Sequence, residues 1–137
     1  MQIPKAAEAV TFERGYPGTA SQARRVRADL AAITGRCPVA EDVILLASEL
    51  AANATRHSRS GWPGGAFTVR ADFRPDDYAW VEVIDQDGEW SEPRPDDEHG
   101  RGLAIVAAIA GDGNWGVNGG PAFRVVWFRL DWPAGAS

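Results

Sequence analysis

Glu49 and Asn53 are four residues apart in a segment whose apolar residues recur at helical intervals. Residues with this spacing lie on the same face of a helix, one turn apart. A carboxylate at such a position can accept a proton from an attacking hydroxyl or water, and a carboxamide oxygen is a hard ligand suited to Mg²⁺. Arg56 falls in the same narrow stripe, at the border of the apolar face. The alternative is that all three are ordinary surface residues of an amphipathic helix.

Two further segments carry residue types that can bind a nucleotide. Asp85 follows the apolar run Trp80 to Ile84, so we expect its carboxylate to point out of a strand end and to accept a hydrogen bond from an exocyclic amine such as that of adenine. Gly100-Arg101-Gly102 precedes an apolar helix beginning at Leu103, where free backbone N–H groups can bind phosphate. The alternatives are a turn formed by Asp85 with Gly88 and a helix entry that uses glycine for its conformation.

Length and composition indicate a single globular domain. The 137 residues suffice for one two-layer core, which we expect to span about residues 8–132. A net charge of −5 disfavours nucleic acid as a partner. No apolar run approaches the ~20 residues that cross a bilayer, so we expect no membrane partner. Because Met1 to Val10 lack a secretory pattern and Cys37 is the only cysteine, we expect a cytoplasmic protein.

Several other kinds of site are excluded by missing motifs. The chain has no Gly-x4-Gly-Lys-Ser/Thr sequence, which excludes a P-loop, and no His/Cys cluster with zinc spacing. A metal-free hydrolase using Glu49 with His57 is disfavoured, because no nucleophile or oxyanion site of recognisable form accompanies them.

Apolar periodicity predicts three helices, at about residues 19–35, 38–57 and 103–110. Alternation predicts five strands, at about residues 7–14, 67–73, 78–84, 115–117 and 123–130. Together they predict an α+β fold, a two-layer sandwich with the helices on one face of a mixed, mostly antiparallel sheet. The other face would be wet or covered by a partner. Trp80 and Trp127 could belong to the core or to an exposed apolar patch.

The order of these motifs resembles the ATPase domains of the GHKL superfamily, to which gyrase and the histidine kinases belong. The resemblance points to its small anti-sigma-factor serine kinases, stand-alone ATP-binding regulators. It covers nearly the whole chain, and its most specific part is the block of residues 49–58. It also includes other segments: Phe12 with Gly18 and Arg24-Arg25, Asp85 with Gly88, residues 100–106, Trp115-Gly116 and the strand of residues 125–128.

The resemblance implies a two-layer Bergerat-type fold and a role for each matched residue. Asn53 would coordinate a Mg²⁺ ion that bridges the phosphates of ATP, and Glu49 would be the general base. Asp85 would bind the amino group of adenine, with Gly88 against the ring.

Gly100 and Gly102, followed by Leu103, would shape the loop over the phosphates. Arg56 and Arg101 would balance the phosphate charge. In that family the phosphoryl group passes to a serine of an anti-anti-sigma partner, and the unengaged kinase can sequester a sigma factor. A second copy of the chain is a further candidate partner.

The chain departs from the family pattern on the adenine side. The pattern Asp-x-Gly-x-Gly appears as Asp85-Gln86-Asp87-Gly88-Glu89, and the following segment to His99 is acidic. Val125 or a neighbour stands where many relatives have a threonine that assists adenine recognition. These departures favour an alternative, which is a non-catalytic interaction module of the same fold that sequesters a partner.

Overall fold

The computed structural model describes residues 9–57, 64–86, 98–119 and 123–134, with the backbone alone at residues 56–57 and 98–102. The elements follow the predicted order, and the α+β fold is confirmed. They are β1 (Val10–Pro17), α1 (Gln22–Thr34), α2 (Ala40–His57), β2 (Ala66–Arg74), β3 (Tyr78–Gln86), α3 (Glu98–Ala110), β4 (Trp115–Gly119) and β5 (Phe123–Asp131).

The five strands form one sheet in the order β1-β2-β3-β5-β4, and all four pairings are antiparallel. The expectation of a mixed sheet was therefore wrong for the described strands. Two elements separate β1 from β2, and two elements separate β3 from β5. The chain reverses at each element, so each of these strand pairs ends antiparallel, whereas a single crossover helix would have given parallel strands.

The core lies between the helix layer and one face of the sheet. α2 is central, since it packs against α1, α3, β2 and β3. Its buried apolar residues recur at helical spacing: Val43, Leu46, Ala47, Leu50, Ala51 and Ala54. The sheet contributes alternate positions of its strands, including Val69, Val81, Val83, Val126 and Phe128.

Both β1 and α1 begin later in the chain than the sequence predicted. β1 continues through Gly15 to Pro17, because an edge strand tolerates a proline that cannot donate to the ladder. α1 begins at Gln22 instead of near Thr19, and Ser21 at its N-cap makes no side-chain capping hydrogen bond.

Tyr16 of β1 contacts residues of both α1 and β2. Its hydroxyl donates a hydrogen bond to Asp29 Oδ2 at 2.7 Å, and its ring stacks on Phe67 with centroids 5.3 Å apart. The Tyr16 side chain is buried. Burial, reinforced by the hydrogen bond to Asp29, raises the pKa of Tyr16 above its ordinary value.

Trp80 of β3 and Trp127 of β5 lie on the face of the sheet opposite α1, α2 and α3, which we call the helix-free face because none of the described helices covers it. Trp80 and Trp127 stack with centroids 4.6 Å apart and planes 2° from parallel, and Trp80 Nε1 donates to Glu82 Oε1 at 3.0 Å. Both rings are half-buried, so they belong to a surface cluster instead of the core. Within the described ranges, no helix combines the length and apolar character that crossing a bilayer requires.

Candidate nucleotide-binding site

Asn53 lies deeper in the protein than the border position expected from the sequence. Its side chain is 4% exposed, and Nδ2 has no hydrogen-bond acceptor among the described residues. Alanines surround it in the sequence, which lets α2 approach its neighbours closely. A buried amide N–H without a partner costs about 1–3 kcal/mol. Groups left in that state are few in native proteins, so Asn53 is a candidate for binding something other than the protein itself.

Glu49 lies one turn before Asn53 on α2 and is half-buried. The predicted arrangement of an acid and an amide on one helix face is therefore present. Glu49 has access to solvent that Asn53 lacks. A half-buried carboxylate one helical turn from a buried amide can contact a group that approaches from outside the core.

The sheet topology places Asp85 at the end of the molecule where α2 finishes. α2 ends at His57, β2 starts at Ala66, and Asp85 lies directly opposite Phe67 in the antiparallel pairing of β2 with β3. Since α2 also packs against β2 and β3, we infer from this connectivity that Asn53 and Asp85 lie toward the same end of the helix-facing layer.

The sequence suggested that Asp85 points out of a strand end, and the structure shows that it does not. β3 continues to Gln86, and Asp85 follows Val81 and Val83 on the buried, helix-facing side of the sheet. Its Oδ2 accepts a hydrogen bond from Arg124 Nη2 at 2.9 Å, and both side chains are only 3% exposed. The carboxylate expected to bind a base is therefore already held by a buried guanidinium.

Arg124 is a residue that the sequence analysis missed. β5 alternates, with Val126, Phe128 and Leu130 buried against the helices, so the same alternation places Arg124 on that side. Val125, near which a threonine equivalent was sought, is on the helix-free side. The inward alternation of β5 was a signal that could have identified Arg124.

The glycine segment is helical, in contrast to the expected entry loop. α3 starts at Glu98, five residues before Leu103, so Gly100-Arg101-Gly102 lies inside its first turns. Glycine weakens a helix without preventing it. The sequence analysis took the two glycines as a loop and therefore placed the helix start too late, at the first apolar residue. The first four N–H groups of a helix, counted from the residue before its first helical position, lack an intrahelical partner, so that of Gly100 remains available to an anion, whereas those of Arg101 and Gly102 do not.

Leu103 is 8% exposed and belongs to the hydrophobic core. It follows the glycine segment directly in α3, which packs against α2. Leu103 is therefore a packing residue that holds α3 in place.

Three of the predicted positions lie wholly or partly outside the described residues. Gly88 falls within residues 87–97, and the side chains of Arg56 and Arg101 are not described. Their roles stay predictions. Within the described part of the chain, no three His, Cys, Asp or Glu residues gather as a metal cage. A metal ion held by Asn53 would need oxygen ligands from the nucleotide as well.

A cavity on the opposite face of the sheet does not belong to this site. It has a volume of about 510 Å³ and lies on the helix-free face, where Asp72, Tyr78 and Trp80 contribute to its lining. It is therefore separated from Asn53 and Asp85 by the sheet itself.

Comparison with known families identifies one family that covers most of the chain. The family model of the histidine kinase-like ATPase domain matches residues 16–129, which include all the candidate residues from Glu49 to Arg124. A comparison with curated proteins found no match.

Proposed function

The chain belongs to the histidine kinase-like ATPase domain family, and from this premise we propose that it is a protein serine kinase of the anti-sigma type. Membership of the family implies ATP binding. The proposal adds Mg²⁺, transfer of the phosphoryl group to a serine of an anti-anti-sigma-like protein, and sequestration of a sigma factor by the unengaged kinase. The observation that carries it is the buried carboxamide of Asn53 with Glu49 one turn before it.

Asn53 has the chemistry that a Mg²⁺–phosphate group needs. Its Oδ1 is a hard oxygen ligand of the kind that Mg²⁺ binds. Its Nδ2 is a buried donor without an acceptor among the described residues, and a phosphate oxygen would supply one. Such a ligand would remove the cost of the unpaired N–H.

Mg·ATP, when bound, supplies the γ-phosphoryl group. As the serine oxygen forms its bond to the γ-phosphorus, the bond from that phosphorus to the oxygen of ADP breaks, and the hydroxyl proton passes to Glu49. Glu49 suits this role because its half-buried position is accessible to a partner's side chain. The free N–H groups at the start of α3 would stabilise the phosphate charge. Catalysis of this kind depends on position and charge more than on covalent chemistry.

Two substitutions on α2 test the proposal. Asn53→Ala should abolish Mg·ATP binding in calorimetry, whereas Asn118→Ala on the exposed part of β4 should leave it unchanged. Glu49→Gln should retain binding and lose transfer from radiolabelled ATP to a partner captured from the native host. Glu41→Gln, an exposed acid of the same helix, is its control. Unchanged affinity of Asn53→Ala would remove the metal assignment, and retained transfer by Glu49→Gln would remove the base.

A second candidate is a non-catalytic module of the same fold that sequesters a protein partner. The Asp85–Arg124 pair favours it, because the carboxylate that should recognise the base is already bonded. Mg·ATP at ~1,000 times its dissociation constant would stabilise the folded chain by ~4 kcal/mol. Two results together would favour the module over the kinase: a thermal-shift assay in which Mg·ATP does not stabilise the chain, and a partner affinity that is the same with and without nucleotide.

A further inference from the structure

We infer that Arg124 determines the nucleotide affinity of this chain, because its guanidinium competes with the nucleobase for the carboxylate of Asp85. The inference rests on the proposed nucleotide site, and it concerns the base end of that site alone. The two residues face each other in the register of β3 with β5, and both project toward the helices.

The competition follows from the chemistry of the groups. An ionised carboxylate only accepts hydrogen bonds, while an exocyclic amine and a guanidinium both donate them. The bond from Arg124 Nη2 to Asp85 Oδ2 is charge-assisted, and such bonds are roughly twice as strong as neutral ones. A neutral amine that takes over this carboxylate therefore replaces a stronger bond with a weaker one.

Burial adds a second contribution to the competition. Each of the two side chains is 3% exposed, so the carboxylate of Asp85 is closed to solvent on the side that Arg124 covers. A base that reaches Asp85 there must displace the guanidinium, and a displaced buried cation has to find another partner or water. The nucleotide must supply the free energy of this rearrangement from its remaining contacts, so its measured affinity falls.

The effect is confined to the base. Asn53 and the start of α3 belong to other elements and would contact the phosphates. Arg124 acts on Asp85, which would contact the base. We therefore expect the competition to weaken ATP without weakening a ligand that has phosphates and no base. Tripolyphosphate is that ligand.

The test compares Arg124→Thr with Arg129→Thr, which is the same substitution on the same strand. Arg129 is 35% exposed and forms ion pairs with Asp77 and Asp131, each at 3.5 Å, away from the helix layer. Calorimetry with Mg·ATP should give Arg124→Thr a dissociation constant at least about ten-fold lower than that of the unmodified chain. Its dissociation constant for Mg·tripolyphosphate should be unchanged, and Arg129→Thr should match the unmodified chain for both ligands.

Equal or weaker ATP binding by Arg124→Thr would overturn the inference, and weaker binding would mean that Arg124 helps to hold the base. If the unmodified chain binds ATP and Arg124→Thr does not improve it, only this inference fails. If neither protein binds ATP, the proposed function fails with it. Should Arg124→Thr not fold, Arg124→Gln keeps a neutral donor of similar length. It should show a smaller gain in ATP affinity, and no gain would overturn the inference equally.

Discussion

The two faces of the sheet hold ion pairs under opposite conditions. On the helix-facing side, Asp85 and Arg124 form a pair at 2.9 Å with side chains 3% exposed. On the helix-free side, Arg70 lies between Glu13 and Glu82 at 3.3 and 3.8 Å, and its side chain is 55% exposed. β3 contributes an acid to both sets, only three residues apart, because successive residues of a strand face opposite sides.

An ion pair between the same residue types affects stability differently on the two faces. An exposed pair is screened by water and contributes about 0–1 kcal/mol. A buried pair gains little over apolar packing, yet removing one partner leaves a desolvated charge. The polar residues of the inner face are thus tightly constrained, and a ligand that engages them must alter an existing arrangement.

The largest expected effect breaks the buried pair. Arg124→Ala should lower the free energy of unfolding by about 3–5 kcal/mol, because Asp85 loses its buried counter-charge. Arg70→Ala should lower it by less than about 1 kcal/mol, since the side chains of Arg70 and Glu13 are both more than half exposed. Urea unfolding of the three proteins measures both changes. Similar losses in the two variants would show that the inner pair is solvated in solution.

A smaller effect is expected at the hydrogen bond between Tyr16 and Asp29. Tyr16→Phe removes a buried donor to a carboxylate, which should cost about 1.5–3 kcal/mol at neutral pH. Tyr78→Phe removes a hydroxyl that donates to Asp72 at 3.1 Å on the helix-free face. Its effect should be smaller, because water can replace the hydrogen bond there.

The pH dependence of the Tyr16 contribution has a definite sign. Folding raises the pKa of Tyr16, so its stabilising contribution is complete below the unfolded value of about 10 and is lost as the pH rises above it. The difference in unfolding free energy between the unmodified chain and Tyr16→Phe should therefore shrink above about pH 10. A difference that stays constant through that range would contradict the assignment.

The fold was predictable where the signal was local. The alternation in β2, β3 and β5 and the helical repeat in α2 each depend on residues within one element, and their bounds were close to those observed. The start of α3 was missed because Gly100 and Gly102 lower helix propensity while tertiary packing of the helix outweighs it. The all-antiparallel pairing depended on counting chain reversals, which no single segment reveals.

The candidate site was predictable on its helix and less so on its sheet. Glu49 and Asn53 share α2, so their spacing alone placed them on one face. Asp85 and Arg124 are 39 residues apart, and their contact depends on strand order and register. The residue type also argued against Arg124 as a site residue, because an arginine in an apolar strand is ordinarily expected on the exposed side.

The smallest expected effect lies on the helix-free face, at Gly116. A Cβ there would lie 2.8 Å from Trp127 Nε1, so Gly116→Ala must shift the indole ring from its present position against Trp80. The disturbed stacking should cost about 1 kcal/mol and should change the near-ultraviolet circular dichroism of the tryptophan pair. Gly15→Ala is the control, because its Cβ would meet nothing within 4 Å.

Gly116→Ala also tests whether the two faces act independently. The Trp80–Trp127 stack and the Asp85–Arg124 pair project from opposite sides of the same two strands, β3 and β5. If the strands transmit nothing between the faces, Mg·ATP should bind Gly116→Ala with an unchanged dissociation constant, whereas Arg124→Thr binds it more tightly. A changed dissociation constant in Gly116→Ala would mean that rearranging the tryptophan pair shifts the buried pair through the strand backbones, and the separation of the two faces would then be wrong.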